Sequence, residues 1–130
     1  MIPFGITFQA CGLRINEYGP KMLALLVGEP PVPWRHLLAF MQHMVISWLA
    51  AVPLLVLLSR AGSRSRALVG ALYGAAFYVG VNAVFLPLMF RDPTPWSLGL
   101  SIVYPSLVVH LVFGITVALT ARLKKEGERA

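Results

Sequence analysis

The chain has 130 residues, enough for one compact unit; 58% of them are hydrophobic and only 12% are charged. Soluble domains carry about 25% charged residues, and so short a soluble chain has no core able to hide this much apolar surface, so the mean hydropathy of +0.75 points to a bilayer as solvent. The formal net charge of +6 does not point to nucleic acid: the basic residues cluster beside long apolar runs, where they act as topogenic signals, and no nucleic-acid-binding motif accompanies them.

From the N-terminus, residues 1–36 read as an extracytoplasmic or interfacial segment. Met1 to Leu13 is apolar but too short to span, which suits a re-entrant, interfacial or half-inserted piece, or a truncated helix. It has neither the basic n-region nor the small-x-small site of a cleavable signal peptide. Cys11 is the single cysteine, which excludes an internal disulfide and a CxxC pair; it reads as a small apolar filler. Met22 to Val27 is a second apolar patch. Gly28, Pro30, Pro31 and Pro33 follow it, which should end any helix and give an extended link. Glu17 and Glu29 read as solvated surface acids.

Three windows then lack Asp, Glu, Lys and Arg: Leu37 to Leu58 (22 residues), Ala67 to Phe90 (24 residues) and Ser97 to Ala121 (25 residues). A membrane helix needs about 20 apolar residues, rising 1.5 Å each, to cross about 30 Å of hydrocarbon. Membrane strands need an alternation that these runs lack, and the backbone must satisfy its own hydrogen bonds in lipid. The expected fold is therefore all-α: a bundle of three transmembrane helices, 37–58, 67–90 and 97–121, forming a single membrane domain with the N-terminal segment and a tail, 122–130.

The connector Ser59 to Arg66 carries three arginines and no acid, whereas Arg91 to Trp96 carries one charge of each sign. The positive-inside rule puts the first connector and the C-terminal tail, with Arg122, Lys124, Lys125 and Arg129, in the cytoplasm. The segment before Leu37 and the RDPTPW connector then face outward, with Trp34 and Trp96 at the outer interface.

Several short motifs complete this layout: Gln42-His43-Met44-Val45-Ile46-Ser47, Leu68 through Gly74, Leu86-Pro87-Leu88-Met89, Pro95-Trp96, and Val109 through Gly114. Over roughly residues 34–122 the chain resembles the YagU-like group of small bacterial inner-membrane proteins and related four-helix membrane proteins. The resemblance implies a multi-pass helical protein of the bacterial inner membrane. It implies no reaction, and the further N-terminal helix usual in those relatives has only the Met1 to Leu13 stub as its counterpart.

Polar residues inside a span are costly and mark contacts or function. The first span carries Gln42, His43 and Ser47, the second Asn82, the third Ser106 and His110. At helical spacing the third span reads Ser106, His110, Gly114, Ala118. The first reads Ala39, His43, Ser47, Ala50, and the second Gly70, Gly74, Tyr78, Asn82, opening with GxxxG. Small residues let helices approach and polar ones bond across the contact, so the three stripes are expected to face one another. His43 lies about 9 Å into its span and Asn82 about 12 Å, but His110 lies about 20 Å from Ser97. Their depths match only if the buried part of the last helix starts at Pro105, a position proline favours.

Two readings of this layer stand side by side. In the first, His43, Asn82 and His110 are neutral interhelical hydrogen-bonding groups, and Gly70, Gly74, Asn82, Ser106 and Gly114 are packing residues. In the second, His43 and His110 bind a cofactor, as axial ligands to a haem or chlorophyll-type tetrapyrrole, with Ala39 and Ser106 one turn earlier leaving room for the ring; a proton relay is the variant of that reading. Two histidines fall short of a zinc site, and no catalytic motif or acidic pair is present. The expected function is thus a non-enzymatic accessory or scaffolding subunit. Its partners are membrane lipids and other transmembrane helices, in a hetero- or homo-oligomer, without nucleic acid.

Overall fold

The computed structural model describes residues 10, 11, 18–60 and 65–127, so most of Met1 to Leu13, the middle of the Ser59 to Arg66 connector and the last three residues lie outside it. Among the described residues there is no strand. The elements in chain order are α1 (Tyr18–Val27), α2 (Val32–Arg60), α3 (Arg66–Phe77), a π-helical stretch (Tyr78–Phe85), α4 (Leu86–Phe90), α5 (Pro95–Leu98) and α6 (Leu100–Gly127). Among the described residues, three helical runs are long and apolar enough to cross a membrane: Pro33–Arg60, Arg66–Phe90 and Leu100–Ala121. The protein is an all-α membrane bundle.

Helix α1 is about 15 Å long, half a hydrocarbon thickness. It stops where the sequence supplies a left-handed residue: Gly28 has φ 75°, and its N–H bonds the Ala24 carbonyl at 2.9 Å. The link to α2 is shorter than the prolines suggest, because Pro33 lies inside α2 rather than in an extended linker. A proline in the first turn lacks only an N–H that needs no partner there, and the Pro31 carbonyl accepts from Trp34 and Arg35 at 3.0 and 3.1 Å.

The second span ends at α4 with Arg91 in the left-handed region (φ 55°), and the Asp92 N–H bonds the Pro87 carbonyl at 3.0 Å. This turn delivers Asp92 to Lys21 of α1, with which it forms an ion pair. Tyr18 stacks on Phe90 with ring centroids 5.8 Å apart, and Tyr18 and Leu23 are buried. Helix α1 therefore covers the end of the bundle that carries Phe90, Asp92 and the start of α2. Segments separated by two spans must lie on one side of a membrane, and these contacts satisfy that condition.

The third span departs from its sequence window. Pro95–Leu98 forms a separate turn, Gly99 breaks it with φ 102°, and α6 starts at Leu100. Pro105 is thus inside a helix that is already under way, and buried, rather than at its start. At the other end α6 runs through Ala121 to Gly127, since nothing in ARLKKE breaks a helix before the glycine.

Two small apolar cores result. Leu54, Leu58 and Ala118 pack with Val69, Tyr73, Val117 and Ala121 at the end away from α1. Tyr78, Ala83 and Val103 pack with Leu107 at the α1 end. Most large side chains lie outside these cores, among them Trp48 (68% exposed), Leu88 (74%) and Leu100 (81%). Such a surface suits lipid and no soluble monomer.

Candidate functional site

The seam between α3 and α6 is the closest contact in the bundle. A Cβ on Gly70 would lie 2.7 Å from the Gly114 carbonyl carbon, one on Gly74 2.8 Å from that of His110, and one on Gly114 2.8 Å from that of Gly70. Backbone meets backbone along Gly70, Gly74, His110 and Gly114, and the Ala118 methyl closes against Gly70. The glycines leave the approach open, and the antiparallel course of the two helices lets steps of four run in opposite directions in register.

Past Gly74 the second span widens into eight π-helical residues, Tyr78–Phe85. Pro87 accounts for this locally. It has no N–H to offer the Ala83 carbonyl, and its ring crowds that carbonyl in a tight helix. Widening the coil relieves both problems, and the Leu86 N–H bonds back five residues to Val81. A wider turn also changes which side chains point inward. Tyr78 and Ala83, five residues apart, are both buried, and Asn82 beside Ala83 is half-buried.

Asn82 thereby reaches His110: Nδ2 lies 2.9 Å from the imidazole Nε2. On its other side the ring holds the Ser106 carbonyl, with Nδ1 at 2.6 Å. A carbonyl oxygen only accepts, so Nδ1–H donates to Ser106; a neutral ring then accepts at Nε2 from the Asn82 amide N–H. Each nitrogen of a neutral imidazole is engaged. Phe77 stacks on the ring at 5.8 Å, Tyr78 leans against it at 5.5 Å, and Trp96 meets Tyr78 edge-on at 6.1 Å. The depth mismatch read from the sequence disappears here. With α6 starting at Leu100, His110 is about 15 Å into its helix and Asn82 about 12 Å from the end of α4.

Helix α2 joins through a different line. Tyr73 donates to the Ala50 carbonyl at 2.5 Å, and the covered positions recur every four residues at Leu38, Gln42, Ile46, Ala50, Leu54 and Leu58. His43 is one residue off this line and exposed. The second and third stripes do face each other; the first is rotated away from them, leaving Ser47 half-buried and only Ala50 fully covered. A small-residue stripe does not fix a helix's rotation when its large apolar residues are equally well placed in lipid.

Phe77, Tyr73 and Tyr78 were not singled out as site residues from the sequence. Tyr78 stands on the Gly70-Gly74-Tyr78-Asn82 stripe, so its spacing carried the signal; Phe77 has no such mark. Among the described residues, buried polar side-chain atoms without hydrogen-bond partners are the Tyr78 hydroxyl, the Ser106 hydroxyl, and both amide atoms of the half-buried Gln42. No group of three or more His, Cys, Asp or Glu side chains able to hold a metal ion is found among the described residues. Comparison with known proteins returned no match to a family model, to a curated protein or to a solved structure.

Proposed function

We propose that the protein is a non-enzymatic accessory or scaffolding subunit, packing against other transmembrane helices in a larger assembly of the bacterial inner membrane. The observation that carries this reading is the unequal use of the three spans. Helices α3 and α6 spend their small-residue faces on each other, while α2 leaves Phe40, Met41, Val45, Trp48, Leu49 and Val52 on its surface. The likeness to the YagU-like group belongs to this proposal, as does the orientation with the Ser59 to Arg66 connector and the C-terminus in the cytoplasm.

Tetrapyrrole binding or proton handling at His43 and His110 is the second reading. It fits His110 poorly, because a metal at Nε2 displaces the Asn82 bond. Purification from membranes in mild detergent separates the readings. The subunit reading expects a colourless chain that co-purifies in fixed stoichiometry with another membrane protein or a second copy. That recovery should fall in a Trp48→Ala/Leu49→Ala variant. A lone, coloured chain would overturn it.

A further inference from the structure

Tyr78 and Ser106 are almost fully shielded, at 0% and 5% exposure, yet neither hydroxyl has a partner. They share neighbours on α6. Tyr78 packs against Val103 and leans on His110, and Ser106 lies between those two residues, one turn from each, on the same buried face of α6. Ser106 does not turn its hydroxyl back to its own helix, the usual recourse of a serine in a span, and its carbonyl is occupied by the His110 Nδ1–H. Gln42 comes in about one turn away along the bundle. Eight residues towards the α1 end from the Tyr73–Ala50 bond lie Gln42 on α2 and Val81, next to Asn82, on the second span, both about 12 Å along. Both of its amide atoms are buried and unpartnered.

A hydroxyl or amide taken out of water into hydrocarbon loses its solvent bonds and must replace them internally. None of these groups bonds another, but their chemistry is complementary. Two hydroxyls that each donate and accept, and an amide that does both, match a molecule with two donors and two acceptors. Buried waters take such positions, typically with two to four polar partners.

We infer that the bundle contains a built-in hydration site between α2, the π-helical stretch and α6, where ordered water bridges the Tyr78 and Ser106 hydroxyls with the Gln42 amide closing its third side. The site lies beside the Asn82–His110 pair and is separate from it. It makes the polar layer of the bundle a hydrated one, although the surrounding surface is apolar.

Water-edited solid-state NMR on the full chain in lipid bilayers tests this. Leu54 and Ala118 are the internal standards, because both are as deeply buried (0%) and carry no polar side-chain atom. Magnetisation from water should reach Tyr78 and Ser106 several-fold faster than Leu54 and Ala118. Ser106→Ala should remove most of the advantage at Tyr78, and Gln42→Leu should reduce it. Equal, slow transfer to all four residues in the unsubstituted protein would overturn the inference, and that comparison holds even if a variant fails to fold. Transfer to Tyr78 that is undiminished in a folded Ser106→Ala protein would overturn it as well.

Discussion

Replacing Gly74 by alanine puts a methyl group where the His110 backbone now lies. The new Cβ would stand 2.8 Å from the His110 carbonyl carbon and closer still to its oxygen, against about 3.5–4.0 Å for relaxed carbon contacts. Backbone cannot rotate aside as a flexible side chain does, so α3 and α6 must part by about 1 Å. A gap of that size forfeits roughly a quarter to a half of the dispersion energy of the atoms along the seam. It also carries the Asn82–His110 bond from 2.9 Å beyond ordinary hydrogen-bond reach. Overpacking of this kind costs about 1–3 kcal/mol, and the lost interhelical bond adds ~0.6 kcal/mol. Alanine's better helix propensity returns up to about 1 kcal/mol, which leaves a net destabilisation of about 1–2 kcal/mol. Reversible unfolding in mixed micelles measures it. Gly80→Ala is the matched control, since a Cβ there meets nothing within 4 Å, and it should be neutral or slightly stabilising. A Gly74→Ala protein as stable as the Gly80→Ala protein would refute the close approach of the two helices.

At His110, glutamine should keep much of the bonding to Asn82 and leave assembly nearly intact, whereas His110→Leu should cost on the order of 1 kcal/mol in the same unfolding assay. A visible absorbance band in the unsubstituted protein that vanishes in both variants would instead establish a ligand role. For the proposed orientation, which rests on the arginine bias of the connector, Ser63→Cys on a Cys11→Ser background should resist an impermeant thiol reagent applied from the outer side of the membrane; rapid labelling would reverse the orientation.

The three spans and the helical class were legible because charge and hydropathy are properties of a segment by itself. A run such as Ala67 to Phe90 has only one satisfactory solution in lipid, a helix that bonds its own backbone. The GxxxG of Gly70 and Gly74 was legible for a similar reason, since small residues at steps of four make a groove on any helix. The rotation of α2 was not. His43 and Ser47 share a stripe with Ala39 and Ala50, yet the packed line passes through Gln42, Ile46, Ala50 and Leu54. What settles the choice is a bond from Tyr73, on another helix, to the Ala50 carbonyl.

The last span shows the same division. Its apolar length is plain from Ser97 to Ala121, but a hydropathy window does not register that Gly99 adopts φ 102° and starts a new helix after it. Pro87 announces a disturbance in the second span, and only the folded chain shows it absorbed as eight π-helical residues that turn Asn82 towards His110. Sequence alone therefore determined what this protein dissolves in, how many times it can cross, and which faces are smooth enough for close contact, because those follow from side-chain transfer energies and backbone self-sufficiency. Tertiary structure decided which faces meet and which polar groups pair. In a bilayer the apolar residues exert almost no pull of their own on helix rotation, so that choice falls to a few backbone contacts and hydrogen bonds between distant residues.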